Sequence, residues 1–323
     1  IKVSVDEQKD GKYTMSLLNF KMSDFMQIGN IVIKDVEATK CGNVIMLNAA
    51  RDIQITKGDD ENVEWMGPGL GNVNILLKGE LKGDNFNACL NIPLAGSMIV
   101  GVKLGKNCNE MGQLPNAGFE NFHEASYDSA KSQEPNGWHS FMSSTGSMAS
   151  MVSAAVHTYE SAEVRENAAE DNKKCVKIVS TPVKFMGMVM ASANGTITTG
   201  RLKAGDMNAS SKDNCSFLDF SSTDVDANGD PFYAVLNNKP DAMKVWVKFK
   251  AGDGNKNPKA TISALLTNGN MVQDPEDDKY AANIIARANN SSIESKDEWQ
   301  EITIPFTYDN AEEMPKAALV TMS

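Results

Sequence analysis

Apolar residues recur at every second position through most of the first hundred residues, a period that admits little but β-structure. The clearest run is Val73, Ile75, Leu77, Gly79 and Leu81. Ala88, Leu90, Ile92 and Leu94 mirror it across Lys82-Gly83-Asp84-Asn85, the sequence of a tight turn. The same rule holds for Ile1-Val3-Val5, Tyr13-Met15-Leu17, Ile31-Ile33, Val44-Met46, Ile53-Ile55 and Met98-Val100-Val102-Leu104. Alternate side chains of an extended chain fall on opposite faces, so each run is a strand with one face in a core. After Leu17 the phase slips to Leu18 and Phe20, which predicts a bulge. A long antiparallel sheet without helices must close or stack, because open edges invite aggregation. About eight short strands are enough to close a small barrel. The inward set is rich in Leu, Ile and Met, so an interior filled by side chains is expected.

The pattern breaks at Gly105 to Gln113, a Gly/Asn-rich stretch read as a linker. A chain of 323 residues fits two domains, here 1–106 and 113–323. Leu114-Pro115-Asn116-Ala117-Gly118-Phe119-Glu120 opens the second, with Pro115 and Gly118 setting a turn and Phe119 entering a core. Pro135-Asn136-Gly137-Trp138 has the same character, a turn followed by a large anchor. Met243-Val245-Val247-Phe249, Ile262-Ala264-Leu266 and Ile302-Ile304-Phe306 alternate again, which predicts a β-sandwich of jelly-roll type. Glu160 to Lys174 reads as either a short helix on composition or a long polar loop. The alternation at Ile1 starts as if inside a strand, so a leader and a first strand are expected upstream. At the other end Ala317 to Met322 reads as a strand.

Net charge is −11, with a pI near 4.9. An acidic chain lacks the basic stripe that phosphate backbones require, so nucleic acid is not an expected partner, and anionic membrane surfaces are disfavoured for the same reason. No run approaches the roughly 18 apolar residues of a membrane span. Cys41, Cys89, Cys108, Cys175 and Cys215 form no CxxC pair. An odd, widely spread set is not a disulfide framework, although one bridge stays open.

The stretches Leu114–Glu120, Pro135–Phe141, Asn194–Arg201, Lys239–Lys250 and Asp297–Phe306, in that order, resemble the putative carbohydrate metabolism domain of secreted and lipid-anchored proteins of gut Bacteroidetes. That family closes with a further strand carrying paired Asp residues; nothing follows Ser323 here, so the expectation is that this element is either absent from this sequence or lost to disorder. Lys12–Leu17 and Ile28–Ile33 are similar to the calycin-like, lipocalin-related barrel domain that often precedes it. The resemblance implies an all-β protein, a calycin-like antiparallel β-barrel followed by a β-sandwich or jelly roll. It also implies a secreted, periplasmic or outer-membrane-anchored location, with any lipid anchor upstream of this chain, and a glycan-related role.

Glycan binding needs flat aromatic faces beside planar polar groups. The candidates are Trp138, Phe141, Trp246 and Trp299, with His139, Asn136 and Gln300 beside them; the alternative for each Trp is a core anchor. Trp138 after its turn and Trp299 before a strand are the two best placed for a rim. Hydrolysis needs two carboxylates about 5 to 10 Å apart. Glu120, Asp274, Glu276, Asp277, Asp278 and Glu298 are available, but no spacing pairs them. Asp224-Val225-Asp226-Ala227-Asn228-Gly229-Asp230 starts like an EF-hand loop, which would hold calcium through Asp224, Asp226, Asn228 and Asp230. Its twelfth position is Val235 rather than Glu, so an Asx-rich turn is the simpler reading and no cofactor is required. The three His residues, His123, His139 and His157, sit in no Ser-His-Asp or HExxH context. The reading is therefore a non-catalytic, envelope-associated protein that meets a glycan or a surface protein. A glycoside hydrolase and a structural spacer or adhesin module are the alternatives.

Overall fold

The computed structural model describes residues 2–23, 25–41, 44–93, 99–105, 114–154, 158–168, 172–218, 224–236, 239–253, 258–313 and 315–323. The chain is all-β and divides into two units, Ile1–Met111 and Gly112–Ser323. The expected linker lies largely outside the described residues.

The first unit is a meander of seven strands: β1 (Lys2–Glu7), β2 (Tyr13–Ser23), β3 (Met26–Cys41), β4 (Val44–Gln54), β5 (Asn72–Lys82), β6 (Asn85–Pro93) and β7 (Ile99–Leu104). They lie side by side in chain order. The alternating residues are its core: Met15, Leu17, Ile31, Ile33, Leu47, Ile75, Leu77, Leu90 and Ile92 are each at most 1% exposed. The β5–β6 register puts Leu77 opposite Leu90 and Gly79 opposite Ala88, as the mirrored runs require. Gly83 closes this hairpin with φ +57°, a conformation open to glycine without steric cost. The predicted bulge is present, since the β2–β3 register shifts between Leu17 and Phe20 and Asn19 takes φ +56°. Closure is not seen: among the described residues β1 and β7 do not pair, so the unit is a curled sheet of seven strands rather than a fully closed barrel. At Gly29 (φ +123°) β3 passes so close to Thr56 that a Cβ would lie 2.1 Å from the Thr56 carbonyl oxygen.

In the second unit the main sheet runs β14 (Ile197–Thr198), β24 (Ala317–Met322), β19 (Lys259–Thr267), β21 (Ile284–Glu294) and β23 (Thr307–Tyr308), with β17 (Ala234–Val235) also on β24. A three-stranded sheet of β15 (Arg201–Ala204), β16 (Asn214–Leu218) and β20 (Val272–Asp274) packs on it. Leu218 and Val272 of the smaller sheet share a core with Leu265, Ala317 and Leu319 of the larger, which makes the unit a sandwich. Four two-stranded ladders complete it: β8 (Phe122–Tyr127) with β9 (Ala130–Pro135), β10 (Thr158–Ser161) with β11 (Cys175–Ile178), β12 (Thr181–Phe185) with β13 (Met188–Ala193), and β18 (Ala242–Val247) with β22 (Gln300–Pro305). The stretch read as helix or loop starts in β10 and continues without helix among its described residues.

Candidate functional site

The segment after β9 decides where two chemistries fall. Pro135 to Trp138 is a four-residue turn, closed by the Trp138 amide donating to the Pro135 oxygen (2.9 Å), with Gly137 at φ +76°. Trp138 then drops into the sandwich core at 1% exposure. Its ring meets Phe119 edge-on at 5.1 Å, and its Nε1 donates to the Pro115 oxygen at 2.9 Å. With its ring enclosed and its single donor used, Trp138 offers no face to a sugar and acts as an anchor. Phe119 and Pro115, from the stretch that opens the domain, are its partners, so the two turn motifs lock together.

His139 points the other way. It is fully buried, its backbone pairs with Thr198, and its ring lies 4.6 Å from that of Phe232. Its Nε2 is 3.3 Å from Asp226 Oδ2. The same oxygen is 3.4 Å from His123 Nε2, which is in turn 3.8 Å from Glu134 Oε2. His123 and Glu134 are directly opposed in the β8–β9 ladder, so both project from one face of that hairpin. Glu134 is fully buried and the Asp226 side chain is 1% exposed.

Each of three members is held at its far side. His123 Nδ1 binds Asn136 Oδ1 (3.1 Å), Glu134 Oε1 accepts from the Ser140 amide (2.7 Å) and hydroxyl, and Asp226 Oδ1 accepts from the amides of Asn228 (2.9 Å) and Asp230 (2.8 Å). His123 Nε2, Glu134 Oε2, Asp226 Oδ2 and both ring nitrogens of His139 make no hydrogen bond of acceptable geometry. Burial pushes the Asp226 carboxyl up more than any other single influence. The His139 imidazole, the Asp230 amide and His123 together still hold it below its ordinary range.

The Asx-rich stretch is therefore a turn, and its side chains are divided among different tasks. Asp224 pairs with Arg201 (2.9 Å), and the Asn228 amide donates to Asp230 Oδ2 (2.8 Å), which also accepts from the Gly137 amide (2.9 Å). Asp224, Asp226, Asn228 and Asp230 do not converge as an all-oxygen calcium loop. Asp226 and Asp230 instead bring carboxylate oxygens near His123, the three ligand atoms lying within 4.8 Å of one another.

The remaining expected residues scatter. Phe141 is half-buried in the short 3₁₀ turn Phe141–Ser143. Trp299 is half-buried before β22, and Gln300 Nε2 donates to the Glu294 oxygen (3.0 Å). Trp246 is 39% exposed, with the Arg165 guanidinium 4.6 Å from its ring. Glu120 accepts from the amides of Lys173 and Lys174, and Glu276 takes a bidentate clasp from Arg287. His157 lies outside the described residues.

A second feature sits on the outer face of β15, β16 and β20. The register places Arg201, Phe217 and Gln273 across from one another and Lys203 opposite Cys215. Leu202, Leu218 and Val272, one residue along, turn into the core. Phe217, Met271 and Tyr280, with Lys203, Asp213, Gln273, Asp277 and Lys279, line a cavity of about 510 Å³ here. Lys203 pairs with Asp213 (2.7 Å) and Lys279 with Asp277 (3.1 Å). Hydrogen bonds from the Lys279 amide and side chain hold the Asp277 carboxyl below its usual range. Burial pushes the Cys215 thiol up to about 11, so it is not a thiolate nucleophile. Asp274, in register with Ser216, belongs to the inner face; burial raises its carboxyl above the ordinary range.

A curled seven-stranded sheet followed by a β-sandwich defines an all-β chain of two units. The calycin-like beta-barrel domain matches residues 1–104, and the putative carbohydrate metabolism domain matches residues 112–320. The chain belongs to the putative carbohydrate metabolism domain family. Among solved structures it is similar to a putative glycoside hydrolase from Bacteroides thetaiotaomicron, at 14% identity and a TM-score of 0.42, over 73% of this chain and 71% of that one. A putative glycoside hydrolase from Bacteroides vulgatus gives 16% identity and 0.42, over 64% and 86%. A putative outer membrane protein from Bacteroides fragilis gives 7% and 0.20, over 99% and 86%. No curated protein matches the chain. No helix among the described residues is long and apolar enough to cross a membrane.

Proposed function

We propose that this protein binds a glycan without cleaving it, in the groove on the outer face of β15, β16 and β20. The observation that carries the reading is the lining of that groove. The Phe217 and Tyr280 rings stand beside two ion pairs, Lys203–Asp213 and Lys279–Asp277, while the Gln273 amide, 5% exposed, already donates to the Lys212 and Pro275 oxygens. Rings supply faces for sugar C–H groups, and planar or charged side chains supply paired hydrogen bonds to hydroxyls. Membership of a carbohydrate-related family supports the ligand class.

The pairing of both groove carboxylates, Asp213 with Lys203 and Asp277 with Lys279, supports binding rather than hydrolysis. A glycosidase acid must be held protonated beside a second, ionised carboxylate. Asp277 in the groove is shifted the opposite way, and the raised Asp274 belongs to the inner face. An extracytoplasmic location agrees with Cys89 being disulfide-bonded, since such bonds persist in oxidising compartments.

The test is a glycan array with wild type, Tyr280→Ala, Gln273→Ala and Trp299→Ala. Wild type should retain a glycan that Tyr280→Ala binds at least about tenfold more weakly, the loss of one stacking ring. Loss in Trp299→Ala alone would move the site to the edge before β22. Release of new reducing ends from the bound glycan would establish the hydrolase reading instead.

A further inference from the structure

We infer that the sugar held in the groove of β15, β16 and β20 is an acidic one, its anionic group received by Lys212 and Lys279. This rests on the glycan reading above and adds the charge of the ligand. The ammonium groups of Lys203, Lys212 and Lys279 line the groove against the carboxylates of Asp213 and Asp277. Lys203 and Asp213 match one for one at 2.7 Å. Around Asp277 the match fails. Lys279 stands 3.1 Å from that carboxylate, and Lys212 adds a second positive charge that acts on it. Among the described residues Lys212 has no ion-pair partner of its own. One positive charge is thus left over at this end of the groove, in a chain whose net charge is −11.

The two lysines are carried on fixed backbone. The Gln273 amide, buried in β20, donates to the Lys212 oxygen (3.1 Å) and to the Pro275 oxygen (3.1 Å). It therefore ties the loop that bears Lys212 to the segment that leads to Asp277. The same loop is closed by the Asn214 amide on the Ser211 oxygen (3.0 Å) and by Asn214 Oδ1 accepting from the Gly205 and Asp206 amides. Asp277 caps the 3₁₀ turn Asp278–Asn283 by accepting from the Lys279 amide (3.2 Å). A lining ordered before the ligand arrives lowers the cost of binding it.

The chemistry selects the ligand class. A carboxylate or a sulfate ester accepts charge-assisted hydrogen bonds from an ammonium group, stronger than those a sugar hydroxyl can accept. The side chains of Lys279 and Asp277 are 57% and 24% exposed, and a solvated pair of this kind is worth little. Lys279 can therefore turn from Asp277 to a ligand anion at small cost. Its Nζ also lies 4.7 Å from the centre of the Tyr280 ring. A sugar stacked on Tyr280 would have an ammonium group at its edge.

The experiment is a calorimetric titration with two matched pairs of probes. One pair is oligogalacturonate and its methyl ester, the other a sulfated galactan oligosaccharide and its desulfated form. Wild type should bind at least one anionic member at least about tenfold more tightly than its neutral counterpart, and the pair that shows this tells carboxylate from sulfate. Lys212→Gln changes only an exposed side chain. It should erase the preference and leave affinity for the neutral member unchanged. Asp277→Asn keeps the capping acceptor and removes the competing charge, so it should tighten anionic binding about two- to fivefold. Lys244→Gln, outside the groove lining, should change nothing. Equal binding within both pairs, a preference for neutral glycans on the array, or full preference retained by Lys212→Gln overturns the acidic ligand and leaves the glycan reading standing. No binding of any probe or any arrayed glycan overturns both.

Discussion

His139 Nε2 and Asp226 Oδ2 stand 3.3 Å apart, joining the segment after β9 to the Asx-rich turn before β17. Asp226 uses its second oxygen to accept two amides of its own loop. One carboxylate thus shapes a turn and faces two imidazoles. Asp226→Ala should strand both amides and cost about 1–3 kcal/mol of unfolding free energy. Asp226→Asn keeps an acceptor for them and should cost less. Urea unfolding of the two variants side by side checks the order.

Trp138→Ala should be among the most damaging substitutions in the second unit, at about 3–5 kcal/mol for a buried aromatic truncated in a packed core. Trp138→Phe should recover much of that, losing chiefly the bond to the Pro115 oxygen. Neither change should alter glycan affinity in the folded fraction, because the ring meets Phe119 and not solvent. Calorimetry and a binding titration on the same samples separate the two effects.

How much of this was legible in the sequence depended on range. Leu77 and Leu90 could be paired by eye, because one-sided burial repeats every two residues and a short turn fixes the register. The bulge near Asn19 was legible for the same local reason. Closure of the first unit was not, because it depends on how its first and last strands meet. Trp138 could be placed after a turn, but an anchor and a sugar platform both put Trp there, and only burial tells them apart. His123, Glu134, His139 and Asp226 have no diagnostic spacing, since a hairpin, a turn and a distant loop bring them together. The one usable hint was that Asp226 lay in an Asx-rich stretch, and the oxygen that matters turned out to face imidazoles.

Gly29→Ala should destabilise the first unit by about 1–3 kcal/mol or more, since the added methyl would meet the Thr56 carbonyl at 2.1 Å. Backbone cannot yield as a side-chain tip can. Gly83→Ala, where nothing lies within 4 Å of the added carbon, should cost only the strain of its positive φ. Thermal unfolding of residues 1–111 within the whole chain gives the comparison.

Asp274 supplies a pH signature. Burial raises its carboxyl above the ordinary value of 3.8, so the folded state holds its proton where the unfolded state has released it. Stability from this group is therefore greatest in acid and is lost as pH rises from about the ordinary carboxyl value through the raised one. Asp274→Asn keeps an acceptor for the Ser263 hydroxyl and carries no charge. It should gain stability relative to wild type at pH 7 and lose that advantage in acid. A melting-temperature series across that range shows whether the two curves converge.

The Gly137 turn sends consecutive side chains into opposite worlds, an indole into hydrocarbon and an imidazole among carboxylates. That makes the length of the segment from Pro135 to His139 a coded quantity. Adding or deleting a single residue after Gly137 would exchange the two, setting a ring with one polar atom among acids and a titrating base in oil. A shift of frame there would undo the oily and the polar interiors in one step.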